Sequence, residues 1–169
     1  MTFNITIKYT EDYKAKFIFN KRIFDCFVGS NGIGKIREGD KKTPTGIFRV
    51  NYVMYRKDKI NRLKCNFKKI PIFQSTIWST DSRDTKYNQI RKKPCSFEHE
   101  KMFRNDDCYD LVAVMDYNTR STQKFKGSAI FIHCKEEYRN STDGCIAMNK
   151  KELIEIINML PKSCRIFIR

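Results

Sequence analysis

The sequence predicts a mainly β fold with one well-defined C-terminal α-helix. Phe3, Ile5, Ile7 and Tyr9 alternate with polar residues, the period of a half-exposed strand. Thirteen Phe and eight Tyr in 169 residues favour pleated, half-buried surfaces. Only one stretch has clear helical spacing. Leu153, Ile156, Ile157 and Leu160 fall on one face, Asn149 stands as N-cap with Glu152 three residues on, and Pro161 stops the helix.

The opening alternation is followed by strands over 14–20 and 23–28, joined near Asn20-Lys21, so 1–28 predicts an antiparallel meander. Gly29 to Lys35 matches the start of a phosphate-binding loop, G-x-x-x-x-G-K-[ST]. Ile36 supplies no hydroxyl for Mg²⁺, and Gly39, Pro44 and Gly46 prevent the helix such a loop must open, so the segment predicts a turn-rich loop that binds no nucleotide. Residues 46–55 predict one strand. Residues 56–69 are strongly basic and read as a surface excursion, and 70–78 turn apolar again. Residues 91–107 carry many charges, Pro94 and little periodicity, and predict a loop covering the site. His99, between Glu98 and Glu100, reads as exposed surface rather than a metal ligand, because no second ligand has suitable spacing. Leu111 to Met115 predicts a buried strand, 118–126 a polar turn, 129–132 a second buried strand, and 164–168 a closing strand. With no internal repeat or linker, residues 1–169 are expected to form a single domain.

Composition narrows the function classes. Hydrophobic residues make up 40% of the chain, enough for a full core. The 34 Lys and Arg against 19 Asp and Glu leave a net charge of +15, which favours a polyanionic neighbour: nucleic acid, an anionic membrane surface or an acidic wall polymer. These charges are dispersed, as on a solvated surface. The seven cysteines, at 26, 65, 95, 108, 134, 145 and 164, include no Cys-x-x-Cys pair, which argues against a zinc ribbon or a thioredoxin-like motif. No apolar run approaches the roughly 20 residues of a membrane span. Residues 1–8 alternate, unlike a secretory signal.

The stretch Gly127 to Met148 carries the chemistry. An apolar run, Ala129 to Ile132, ends in His133, one of only two histidines. A polar loop follows, then Thr142-Asp143-Gly144-Cys145 and an apolar return at Ile146. Thiol plus imidazole is the pair needed for nucleophilic acyl transfer. Glycine before the cysteine permits a sharp bend that leaves backbone N–H groups free to face an oxyanion. The plain alternative is that Cys145 is inert core filler, as most buried cysteines are. Cys134, adjacent to His133 on a strand, points to the opposite face and is expected in packing.

This stretch resembles the catalytic motif of the L,D-transpeptidases (YkuD family), in which a strand-borne His precedes a Ser/Thr-x-Gly-Cys loop. Gly34-Lys35-x-Arg37-Glu38-Gly39-Asp40-x-x-Thr43-Pro44-x-Gly46-x-Phe48 resembles a segment of one branch of that family. The stretch from Trp78 and Asp81 to Tyr87-Asn88 is similar to the family's Trp-x-x-Asp…Tyr-Asn stretch near the cleft, although an Asx-rich turn with an aromatic anchor describes it equally well. The matches cover roughly residues 29–52, 78–88 and 110–168. Two places depart from the common pattern: Asp143 stands where many members carry His, and Ala147 where many carry Arg.

The resemblance implies a two-sheet L,D-transpeptidase-like domain with a cleft beside the His-Cys loop. It implies Cys145 as nucleophile, His133 as proton carrier and the N–H groups of Gly144 and Cys145 as oxyanion hole, with the Asp143 N–H as a further candidate donor, and Asp143, Thr142, Tyr87 and Asn88 toward the substrate. Asp143 is expected to raise the imidazole pKa, and His133 as imidazolium to stabilise the Cys145 thiolate. The implied substrate is a peptidoglycan stem peptide cleaved at a diaminopimelate–D-Ala bond. Passing the acyl group to an amine makes a 3-3 cross-link; passing it to water makes an L,D-carboxypeptidase. No metal or organic cofactor is required. The resemblance places such a protein in the cell envelope or periplasm, as a monomer. A basic nucleic-acid-binding β domain is the non-enzymatic alternative, resting on the charge and the many aromatics but on no recognisable motif.

Overall fold

The computed structural model describes residues 4–169; Phe3 lies outside them. The meander forms as β1 (Ile5–Glu11), β2 (Lys14–Phe19) and β3 (Arg22–Phe27), paired antiparallel in order. Asn20 and Lys21 both have positive φ, 49° and 64°, the two-residue turn whose twist suits the strands it joins. Ile5, Ile7, Ala15, Phe17, Phe19, Phe24 and Cys26 are buried with period two along these strands.

Next come β4 (Gly46–Phe48), β5 (Val50–Tyr55), β6 (Lys69–Pro71), β7 (Thr76–Ser79), β8 (Ile90–Lys92), β9 (His99–Lys101), β10 (Leu111–Met115), β11 (Phe131–Cys134), β12 (Ile146–Met148), helix α1 (Lys150–Met159) and β13 (Ile166–Ile168). Ten strands make one sheet in the order β4-β13-β1-β2-β3-β12-β11-β10-β5-β6, and the other three make a second in the order β8-β7-β9. Over the described residues the fold is mostly β, with two sheets and one helix.

Residues 46–55 form two strands, not one. β4 lies at one end of the large sheet beside β13, while β5 lies near the other end between β10 and β6. One residue, Arg49, joins them, and its N–H and C=O bond to the Asp116 carboxylate and the Asp116 N–H at 2.8 and 2.9 Å. Strands so far apart in the sheet order yet so close in the chain require the sheet to roll nearly closed. The break is invisible in an unbroken apolar–polar run because a side chain from elsewhere makes it.

The inside of the roll is the main core, lined by Phe17, Phe19, Val53, Leu111, Ile132, Ile146 and Ile166 and plugged by Leu153, Ile156, Ile157 and Leu160 of the helix region. Asn149 caps α1 by accepting from the N–H groups of Lys151 and Glu152. The basic 56–69 segment also contributes Ile60, Leu63 and Phe67 to this core, so it is pinned rather than a free excursion.

Residues 91–107 are not simply a loop. β8 and β9 flank the fully buried β7, three residues each, too short to reveal alternation in the sequence. This small sheet covers the outer face of the roll, where Trp78 and Tyr109 meet Phe131 edge-on at centroid distances of 4.9 and 6.0 Å. Residues 29–45 form an irregular loop, and no helix opens after Lys35.

Candidate active site

β11 and β12 run parallel, with Ile132 opposite Ile146 and His133 opposite Ala147. That register sets Cys145, one residue before Ile146, beside Phe131, two residues from His133 along β11. His133 and Cys145 therefore line one cavity of about 320 Å³, with Thr142 and Asp143 also in its wall. Cys134 faces the other way: it is wholly buried in the main core, with its thiol toward the Leu111 carbonyl.

The nucleophile turn is tightly specified. Gly144 has φ +139°, and a Cβ there would stand 2.9 Å from the Lys42 carbonyl oxygen. The Thr142 hydroxyl donates to the Cys145 carbonyl at 2.6 Å and accepts from the Gly144 N–H at 3.1 Å. Thr43, from the 29–45 loop, also donates to the Cys145 carbonyl and accepts from the Gly29 N–H. The Gly144 N–H, expected as an oxyanion donor, is instead committed to Thr142. Among the described residues, the N–H groups of Asp143 and Cys145 have no intramolecular acceptor, so they are the donors free to meet an oxyanion.

The Cys145 thiol donates to the Ala129 carbonyl at 3.0 Å and accepts from the Phe131 N–H at 3.4 Å. His133 Nδ1 lies 2.8 Å from the Cys134 carbonyl oxygen. A carbonyl only accepts, so Nδ1 carries the hydrogen and Nε2 is the basic nitrogen. Tyr109 stands edge-on to the imidazole at 5.3 Å, and the Cys108 sulfur lies 3.4 Å from Nδ1. No hydrogen bond joins His133 to Cys145 directly, among the described residues.

The electrostatics differ from an ion pair. Burial pushes the Cys145 thiol well above its usual range, the Glu100 charge adds to this, and the Phe131 N–H and Lys35 pull the other way. Burial takes His133 down from 6.5 to about 4, with the bond to Cys134 and the Glu136 charge opposing it in part. At neutral pH the pair rests as thiol and neutral imidazole. Asp143 does not set the imidazole pKa; its carboxylate pairs with Arg139 at 3.0 Å.

Tyr87 and Asn88 sit behind the cavity rather than in its wall. The Asn88 side chain accepts from Trp78 Nε1 at 3.1 Å and the Ala129 N–H at 2.9 Å, and donates to the carbonyls of Tyr117 and Asn118. All four bonds are internal. They fix Ala129, whose carbonyl holds the Cys145 thiol. The Tyr87 hydroxyl donates to Glu38 and accepts from the Gly127 N–H.

Sequence reasoning placed 91–107 over the site but singled out none of its residues as lining the cavity, and His99, expected as exposed surface, is half-buried in the cavity wall. Glu100, Arg104, Cys108 and Tyr109 line the cavity with Glu38 and Arg139. Tyr109 donates to the Glu100 carboxyl, which burial raises above its usual range. Arg104 pairs with Asp106 at 2.5 Å and Glu136 at 3.5 Å. The density of charge in 98–109 was the only sequence signal. No cluster of three or more His, Cys, Asp and Glu suited to a metal occurs among the described residues, and no described helix is long and apolar enough to cross a membrane.

Fold and site together define a β-rich cysteine–histidine domain: an imidazole at one strand end, and a glycine-preceded thiol at the start of the parallel neighbour. The family model for the L,D-transpeptidase catalytic domain, YkuD, matches residues 9–168, so the chain belongs to that family. No curated protein matches the chain. Among solved structures, it is similar to a cysteine-to-serine mutant of an Enterococcus faecium L,D-transpeptidase, at 9% identity and a TM-score of 0.48, over 100% of this chain and 50% of that one. It is also similar to the structure described as the Ldtfm-avibactam carbamoyl enzyme, at 10% identity and a TM-score of 0.45, over 100% of this chain and 49% of that one. The chain spans about half the length of the solved chains it matches.

Proposed function

We propose that the chain is a cysteine-dependent acyl transferase acting on peptidoglycan stem peptides, with Cys145 as nucleophile and His133 as proton carrier. The reading rests on one observation above all: the Cys145 thiol and a tautomerically fixed His133 line the same cavity, beside two backbone N–H groups that lack an acceptor. The basic surface, at +15, suits a polymer bearing free carboxylates.

Each step follows from a neutral resting pair. Substrate binding draws the thiol from the Ala129 carbonyl, and its proton passes to His133 Nε2. The thiolate attacks the diaminopimelate carbonyl of a tetrapeptide stem. The Cys145 N–H and Asp143 N–H receive the oxyanion, each such donor being worth about 3 kcal/mol. His133 returns its proton to the departing amine of D-Ala, leaving a thioester on Cys145. An amine of a second stem then gives up a proton to Nε2, attacks the thioester and forms a 3-3 cross-link, which restores the thiol. Water in place of that amine gives a carboxypeptidase. The work is done by a monomer with one catalytic domain, in the cell envelope, without a metal or organic cofactor.

The test is release of D-Ala from a purified tetrapeptide stem, with products identified by mass. A cross-linked dimer is the expected product, and a tripeptide alone assigns the carboxypeptidase reaction instead. Cys145→Ala abolishes release with the fold intact, while Cys134→Ala keeps most of it. Full activity in Cys145→Ala ends the proposal. Tight, sequence-selective DNA binding that weakens steeply with salt, without D-Ala release, favours the nucleic-acid reading.

A further inference from the structure

Behind the nucleophile turn lies a group the mechanism above does not use. Lys35 closes the Gly29–Lys35 loop, whose phosphate-loop likeness has no structural counterpart. Its side chain is 2% exposed and its ammonium pairs with Asp40, 8% exposed, at 2.8 Å. Two glycines border its path. A Cβ on Gly127 would come within 2.4 Å of Lys35 Cε, and a Cβ on Gly144 would stand 3.7 Å from Lys35 Nζ. The chain thus leaves out side chains at two positions beside the lysine, and the ammonium ends close behind the residue that precedes Cys145.

Asp40 does not simply cancel that charge. One of its oxygens accepts from Lys35 Nζ and the Lys42 N–H, the other from the N–H groups of Ile36 and Arg37. Burial alone would raise this carboxyl, but the Lys35 bond and the three backbone bonds hold it at about 2. The carboxylate charge is therefore shared among four donors on its own loop, while the ammonium lies between Asp40 and Gly144. A buried ion pair adds little net stability compared with apolar packing of the same volume. Its placement is better explained by the charge that must form on the other side of Gly144.

We propose that Lys35 is a positioning residue for this site: its buried ammonium, anchored by Asp40 against the back of Gly144, stabilises the negative charge that develops on the Cys145 sulfur and on the carbonyl oxygen it attacks. Lys35 touches neither substrate nor sulfur. It acts through the turn, in a cavity wall where charges interact more strongly than in water. The inference rests on Cys145 being the nucleophile of the proposed function.

The pH dependence of iodoacetamide alkylation, quantified at each cysteine by peptide mapping, tests it. Lys35→Met alone strands a buried carboxylate, so Lys35→Met combined with Asp40→Asn serves as the second variant, with circular dichroism confirming the fold. Cys145 alkylation in the folded variant is expected to slow by about tenfold at a given pH, its profile moving upward by about one pH unit. Cys26 and Cys134, both buried in the main core, should keep their wild-type rates. An unchanged Cys145 profile in the folded double variant overturns the inference. So does a common acceleration at Cys26, Cys134 and Cys145, which is the signature of a pair that merely holds the loop. D-Ala release separates the two levels. A wild type that releases D-Ala but has a Lys35-independent profile loses this inference alone. A Lys35-dependent profile without D-Ala release keeps it and removes the substrate assignment.

Discussion

Acidification should destabilise this protein in part through the His133 imidazole, and that part can be isolated. His133 is 6% exposed, and burial lowers its pKa from 6.5 to about 4. In the unfolded chain His133 takes up a proton as the pH falls through 6.5; in the folded chain it does so only near 4. Between those values the unfolded state binds more protons, so stability falls as the pH falls, and below about 4 the loss levels off. At about 1.4 kcal/mol per pH unit, the full loss is roughly 3 kcal/mol. Other groups around the cavity also titrate. Glu100, raised by burial, opposes the loss, and Asp40, held at about 2, adds its own loss below the His133 window. Arg104, raised further by its bond to Asp106, stays charged throughout. Urea unfolding of wild type and His133→Gln over a pH series separates these contributions, because only the His133 component differs. The two stability curves should converge by roughly 3 kcal/mol between about pH 6.5 and 4. Curves that stay parallel, or an imidazole NMR titration centred near 6.5, would refute the neutral resting pair.

Two further outcomes concern the frame around the thiol. Asn88→Ala removes four hydrogen bonds, three of them buried, and strands the Trp78 and Ala129 donors; it should cost about 4 kcal/mol in urea unfolding, and a loss under about 1 kcal/mol would show that Asn88 does not brace Ala129. Gly144→Ala forces a Cβ toward the Lys42 carbonyl at φ +139° and should cost roughly 3 kcal/mol and most D-Ala release; wild-type thermal stability in that variant would refute the account of the turn.

Much of the fold was legible because its signals are local. The meander is written in the period-two burial of Ile5 to Cys26, and the helix in its Asn149 cap, apolar face and Pro161 stop. Burial and hydrogen bonding across distant segments were not legible. The division at Arg49 depends on Asp116, 67 residues away. β8 and β9 become strands only because β7 lies between them. At the site, sequence brought His133, Cys145, Gly144, Thr142 and Asp143 to one place, since a strand end and a returning loop converge when their strands pair. It assigned Tyr87 and Asn88 to substrate because residue type does not reveal that all four Asn88 bonds turn inward. It also expected an ion pair, because desolvation, the strongest influence on His133 and Cys145, is a property of the packed molecule.

The rolled sheet has a consequence for timing. β13 lies between β4 and β1, and β4, which ends the loop carrying Lys35 and Thr43, has among the described residues β13 as its only neighbour in the sheet. On the ribosome His133 and Cys145 emerge before Ile166–Ile168, yet the far end of that loop has no strand to dock on until those residues are free. The pairing of Ile5 with Ile166 spans nearly the whole chain, the kind of contact that forms late. His133 and Cys145 are therefore both made before the strand on which that loop docks, so a chain cut short of Ile166 holds the imidazole and the thiol without this part of their scaffold.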